Sequence, residues 1–166
     1  FARLQQKFSI EERREAPLHV VDRSRYRTIL SREDLQACIA ELRRAGRFAI
    51  DLETTSLDAM SAQIVGISLA WARGSACYIP ISHVYLGVPA QLKLGAVLKE
   101  LGPLLADPAI PKYAQNHKYD WLILRRAGLD MQGVVCDPML ASYVLDPSRV
   151  SHGLSDLSLE FLHHSM

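Results

Sequence analysis

The sequence predicts an α/β domain in which a mixed β-sheet is flanked by helices. Three observations carry this expectation. Apolar runs of strand length recur at residues 26–30, 47–52, 64–71 and 76–81. Segments with helical spacing of apolar residues stand at 31–46 and 90–105. The resulting order is strand-helix, then three consecutive strands, then helix-strand-helix, which builds a sheet with both adjacent and crossover connections.

Each element has a local reason. Tyr26-Arg27-Thr28-Ile29-Leu30 reads as an edge strand. Ser31 is a good helix N-cap, with Asp34 three residues on as an incomplete capping box. Leu35, Cys38, Ile39 and Leu42 fall on one helical face, and Gly46 supplies a C-terminal stop. Residues 47–52 make the central strand. Two further strands, 64–71 and 76–81, are joined by the glycine-containing hairpin turn Ala72-Arg73-Gly74-Ser75. Residues 90–105 form a helix, with Pro108 lying beyond it. A strand at 113–115 then leads into a helix opening near Asn116, in which Trp121, Leu122 and Leu124 belong to the core. Ser155 or Asp156 begins the last helix.

Residues 1–20 read differently from the rest. Glu11-Glu12-Arg13-Arg14-Glu15 is a dense mixed-charge run, suited to a linker or a solvated helix. The folded domain starts near Val20 or Val21 and occupies residues 21–166. There are no internal repeats and no low-complexity tracts.

Composition narrows the function classes. The chain is 49% hydrophobic and 22% charged, which excludes disorder as its general state. Nineteen basic and eighteen acidic residues give a formal charge of +1, so a wide electrostatic grip on duplex nucleic acid is not expected. A domain holding a few nucleotides of a single-stranded end does not need one. Cys38, Cys77 and Cys136 are far apart in sequence and in apolar surroundings, which suits reduced core thiols in a cytoplasmic protein rather than a disulfide or zinc framework. No run of about 20 apolar residues suggests a membrane span.

The chemistry concentrates at Phe48-Ala49-Ile50-Asp51-Leu52-Glu53-Thr54-Thr55-Ser56-Leu57-Asp58. Asp51 and Glu53 are two apart on a strand and therefore project to one face. Like charges at about 4 Å repel by roughly 4 kcal/mol at an effective dielectric near 20. Such a pair is tolerated when solvated, when it shares a proton, or when cations lie between the oxygens. A second segment, Asn116-His117-Lys118-Tyr119-Asp120, places Asp120 in the first turn of a helix, where the macrodipole also favours a carboxylate.

Strand-borne Asp-x-Glu followed by Asn-x-Lys-Tyr-Asp on a helix resembles the first two motifs of the DEDD exonuclease superfamily. The chain is most similar to the 3′→5′ proofreading exonuclease domains of bacterial DNA polymerase I. The similarity runs from about Val21 to the C-terminus. It includes Ala76-Cys77-Tyr78-Ile79-Pro80-Ile81-Ser82-His83, residues 136–145, and residues 152–164 with Leu154-Ser155-Asp156-Leu157. It implies a ribonuclease H-like fold and two-metal hydrolysis of phosphodiester bonds at DNA 3′ ends, with Mg²⁺ or Mn²⁺ as the ions. By the same resemblance Asp51 bridges both metals, Glu53 ligates the one that activates water, and Asp120 holds the second through water. The family's third motif, a Tyr and an Asp on one helix, has no counterpart before Met166, so little activity is expected of residues 1–166 alone. His152 and Asp156 mimic its spacing but align with an earlier segment.

The resemblance further assigns nucleic-acid contacts. Leu57 matches an apolar wedge between the last two bases; an ordinary loop leucine packed inward is the other reading. Thr54 matches a contact to the terminal nucleotide, or else bonds the local backbone. Asn116 and Tyr119 match positions near the substrate strand, against a helix cap and a half-buried aromatic. His117 reads as surface polar. Implied partners are a single-stranded DNA 3′ end and, by analogy, polymerase and 5′-nuclease domains, with residues 1–8 as the last trace of the latter. The implied location is the bacterial cytoplasm, with the nucleoid. Two other functions fit the motifs: a non-catalytic exonuclease-like module that binds DNA or serves structure, and a ribonuclease D-like RNA exonuclease.

Overall fold

Among the described residues, six strands form one mixed sheet in the order β1-β4-β3-β2-β5-β6. The structure, a computed structural model, describes residues 21–166; the linker expected at residues 1–20 lies outside the described residues. In chain order the elements are β1 (Arg25–Thr28), α1 (Arg32–Ala45), β2 (Phe48–Thr54), β3 (Ile64–Ala72), β4 (Ser75–Pro80), α2 (Leu94–Leu105), β5 (Lys112–Tyr113), α3 (His117–Arg126), β6 (Val134–Cys136), α4 (Pro138–Leu145) and α5 (Leu154–Leu162). β2, β3 and β4 pair antiparallel, whereas β1 with β4, β2 with β5, and β5 with β6 are parallel. The expected α/β mixed sheet is therefore present, with β1 at its edge and β2 in its interior.

Local chemistry sets the helix ends. The Ser31 side chain accepts from the Asp34 N–H, and Gly46 stops α1 in the left-handed conformation at φ 68°. The α1 face of Leu35, Cys38, Ile39 and Leu42 is buried together with Val97, Leu101, Leu104 and Leu105 of α2. These helices cover one face of the sheet, against Ile50, Leu52, Ile67 and Ile79. Alternation along β2 sends Phe48, Ile50 and Leu52 into this core and leaves Asp51 and Glu53 exposed on the opposite face.

Several expectations are corrected. The α2 helix begins at Leu94, not at residue 90, because no side-chain cap is available and Lys93 occupies the N-cap position. β5 shrinks to Lys112–Tyr113. β6 and α4 were not anticipated: three strand residues are too few to show a period, and α4 is short and weakly amphipathic. The last helix starts at Leu154 with Gly153 as its N-cap. Leu124 is fully buried, but Trp121 and Leu122 are only half-buried, and the Trp121 indole N–H donates to Asp130 Oδ1 at 3.0 Å. Cys38 and Cys77 are free, buried neighbours with sulfurs 3.1 Å apart, whereas Cys136 is half-buried. Among the described residues no helix is long and apolar enough to cross a membrane.

Candidate active site

The uncovered sheet face lines a cleft of about 720 Å³, with Asp51, Glu53, Ser68, Tyr78 and Gln115 among its walls. Asp51 stands opposite Ser68 and Glu53 opposite Gly66. Immediately after Glu53 the β2–β3 register shifts, and this irregularity ends the ladder and turns the chain away. Asp120 meets this pair from α3. It is 2% exposed, and its Oδ2 has no hydrogen-bond partner. Burial, then the Asp51 charge, push its pKa up to about 8, although the Leu52 backbone N–H opposes the shift. Asp51 is exposed overall, yet local desolvation and Glu53 raise its pKa as well. The three carboxylates expected from sequence therefore share one electrostatic neighbourhood.

A buried carboxylate with an unpartnered oxygen and acidic neighbours is costly unless it holds a proton or meets a cation. Among the described residues, no group of three or more His, Cys, Asp or Glu side chains stands close enough together to hold a metal ion by itself. The donor set nevertheless fits a hard divalent cation, since Mg²⁺ takes one or two carboxylates and completes its shell with water and substrate phosphate.

The loop that follows β2 is tied to α3 at two points. The Tyr119 hydroxyl donates to the Ser56 carbonyl and shares a 2.6 Å hydrogen bond with Thr54 Oγ1. Two turns further along α3, Arg126 Nη1 donates to the Ala59 and Ala62 carbonyls, at 2.9 Å each. Asp58 closes a turn between these tethers by accepting from the Met60 N–H and the Ser61 hydroxyl. Leu57 stands at the loop tip, 96% exposed, which overturns the reading of an inward-packed leucine. Thr54 also bonds the local backbone at Ser56 O, 3.2 Å away.

Asn116 occupies the N-cap position of α3 in the left-handed region, at φ 52°, but its side chain makes no cap bond. Asp137 replaces it: its carboxylate accepts from the backbone N–H groups of Asn116, His117 and Met139, so one side chain serves the starts of both α3 and α4. His117 is not a surface residue as expected. It is half-buried, its Nδ1 lacks a partner, and burial lowers its pKa. Asp156 is exposed on α5, while His152 is buried with Nδ1 2.8 Å from Ser142 Oγ. Asp137 and Arg126 escaped the sequence reading, although Asp-Pro at a helix start was a visible capping signal.

Residues 26–166 match the family of 3′-5′ exonuclease domains. The chain belongs to that family. It is 44% identical over 142 residues to DNA polymerase I of Pseudomonas aeruginosa, covering 84% of this chain and 16% of the relative. It is 40% identical over 161 residues to DNA polymerase I of Rhizobium leguminosarum, covering 87% and 16%. The chain thus spans about 16% of the length of these curated relatives. Among solved structures, the POL domain of Pol1 from M. smegmatis in complex with DNA primer-template and dNTP superposes with a TM-score of 0.68 at 28% identity, over 85% of this chain and 23% of that one. Trypanosoma brucei RNase D complexed with RNA U12 shares the fold, with a TM-score of 0.68 at 18% identity over 85% and 48%. This chain is accordingly a 3′-5′ exonuclease domain of the DNA polymerase I kind, and the expected ribonuclease H-like class is the observed one.

Proposed function

We propose that this domain proofreads DNA by removing nucleotides one at a time from a single-stranded or frayed 3′ end, using Asp51, Glu53 and Asp120 to hold two divalent cations, Mg²⁺ or Mn²⁺. The observation that carries this reading is the unpartnered Oδ2 of Asp120, buried beside Asp51 and Glu53 with its pKa raised to about 8. Such cations, when bound, stabilise charge on the attacking and leaving oxygens of a phosphodiester and favour hydroxide formation from bound water. In the reaction, a water oxygen bonds to the terminal phosphorus, the 3′-oxygen of the preceding nucleotide leaves and takes a proton, and a mononucleotide is released.

The chain's own residues prepare this. Asp51 and Glu53 are held on a rigid interior strand, and Asp120 is delivered by a helix whose start is fixed by Asp137. Thr54 and Tyr119 lock the first residues of the loop, so that exposed Leu57 is presented beside the carboxylates as a wedge against the terminal bases. Asn116, exposed at the α3 start, is assigned to the same DNA strand by the family resemblance. Unpairing a base costs a few kcal/mol, so mismatched ends are the preferred substrates. The likeness to DNA polymerase I supports, as part of this proposal, polymerase and 5′-nuclease partners in the same protein and a cytoplasmic setting.

The test uses the full-length protein that carries this domain. Asp51→Ala lowers release of nucleotides from a single-stranded DNA 3′ end by about 10³-fold or more, with folding preserved. Wild-type turnover by that variant refutes the assignment. Faster degradation of matched RNA than of DNA would move the domain to the ribonuclease class.

A further inference from the structure

Tyr78 lies on β4, in register with Ser68 of β3, which in turn faces Asp51. Its ring does not stay in that row. It leans diagonally over Gly66, the residue opposite Glu53. A Cβ on Gly66 would lie 1.9 Å from the Tyr78 hydroxyl oxygen and 2.3 Å from Cζ. A side chain at position 66 would displace the tyrosine ring, and with glycine there the hydroxyl reaches the Glu53 side of the cleft. Burial and then the Glu53 charge raise the phenol's pKa, which agrees with that proximity.

The hydroxyl is itself held. It lies 2.5 Å from His83 Nε2. His83 is fixed by Gln91, which accepts from the His83 N–H and donates to the His83 carbonyl, at 2.8 Å each. An ionised carboxylate only accepts hydrogen bonds. When His83 donates through Nε2, the Tyr78 hydroxyl keeps its own hydrogen for the Glu53 side of the cleft, where one water can relay it to the carboxylate.

We propose that Tyr78, held by His83, is a positioning residue of the exonuclease reaction that fixes the Glu53 carboxylate from the β4 side. The inference rests on the carboxylate site proposed above. Space-filling over Gly66 needs only the ring, whereas positioning of Glu53 needs the hydroxyl and its histidine. Phenylalanine at position 78 separates the two.

In the full-length protein, Tyr78→Phe, His83→Gln and the double variant are compared by single-turnover cleavage of a single-stranded DNA 3′ end, KM for that DNA, calorimetric titration with Mn²⁺, and thermal midpoint. Tyr78→Phe lowers the cleavage rate about tenfold, the scale of one charge-assisted hydrogen bond. It weakens Mn²⁺ binding severalfold and leaves KM and the midpoint unchanged. His83→Gln reproduces the loss, the double variant is no worse than either single one, and Tyr78→Phe has no further effect in a Glu53→Gln background. If Tyr78→Phe alters folding, His83→Gln carries the same comparison alone. Wild-type rate and Mn²⁺ affinity in both single variants overturn the inference, as does an equal further loss in the Glu53→Gln background. Asp51→Ala serves as the reference: if it cleaves normally, the underlying site fails and the inference falls with it, whereas an inactive Asp51→Ala beside a wild-type Tyr78→Phe overturns the inference alone.

Discussion

Lys112 and Asp120 are both buried ionisable side chains, 0% and 2% exposed, and they are handled in opposite ways. Lys112 Nζ donates to the carbonyls of Asp107 at 2.7 Å and Ile110 at 2.9 Å, with the Phe48 ring 5.7 Å away. Its partners come from the turn just before β5, so the ammonium closes that turn from inside. Asp120 has one oxygen without a partner, and Asp51 and Glu53 add charge of its own sign. Burial opposes the charged form of each, lowering the Lys112 pKa and raising that of Asp120. A buried charge answered by its own backbone is structural. One left unanswered among like charges is poised for something the chain does not supply.

The sharpest way to break this contrast is to remove each charge in the full-length protein. Asp120→Ala should cost about 10³-fold or more in nucleotide release and leave metal-free stability equal or higher. Lys112→Met should do the reverse: it takes the ammonium donor from two half-buried carbonyls and costs about 2–3 kcal/mol of stability, with near-normal turnover in the folded fraction. Single-turnover rates beside thermal melts decide this. Loss of turnover in Lys112→Met at unchanged stability would erase the distinction.

A pH series sharpens it further. The Asp120 carboxyl titrates near its ordinary value of 3.8 in the unfolded chain but at about 8 when folded. Between those values the folded state binds more protons, so this group makes metal-free stability fall as pH rises from 4 to 8. Asp51, also raised, acts in the same direction. Lys112, whose pKa is lowered, costs stability as pH falls below its ordinary value of 10.5. Asp120→Asn should flatten the slope between pH 4 and 8 and stabilise the metal-free domain by several kcal/mol at pH 8, with little change at pH 4. An unchanged slope in urea melts without metal would show that Asp120 is solvated after all.

Asp137 lies between the two cases, because its charge is fully used by backbone donors at the starts of α3 and α4. Asp137→Ala should cost about 1–2 kcal/mol and reduce turnover only through the orientation of α3. A larger loss of turnover than of stability would place Asp137 nearer the chemistry.

What the sequence disclosed follows the same division. The strand pair of Asp51 and Glu53, the Ser31 and Gly46 caps of α1 and the succession of β1 to β4 along the chain all depend on short-range periodicity or local capping, and they were legible. Burial of Lys112 was not, because it depends on Asp107 and Ile110 folding back over β5. The double cap by Asp137 and the tether from Arg126 join segments roughly twenty and sixty residues apart, and no local pattern announces them. For Asp120 the type and place were readable, but its burial and lost partner were tertiary facts. The α3 helix-start reading and the ligand reading of Asp120 thus separate only once Leu52 and Asp51 are packed beside it.

The smallest effect belongs to the other extreme of exposure. Leu57 is 96% exposed at the tip of a loop pinned by Tyr119 and Arg126, so it contributes almost nothing to the core. An exposed leucine held out on a braced loop keeps its apolar surface for a partner, which under the proposed function is a nucleic-acid base. Leu57→Ala should leave the melting midpoint and Mn²⁺ affinity unchanged and slow cleavage of a mismatched primer end severalfold, the scale of one base contact worth about 1 kcal/mol. The loss should be larger on a paired end, where the side chain must help separate the last base from the stack. Equal rates for wild type and Leu57→Ala on both ends would exclude the wedge and leave Leu57 as a loop residue without a role in substrate handling.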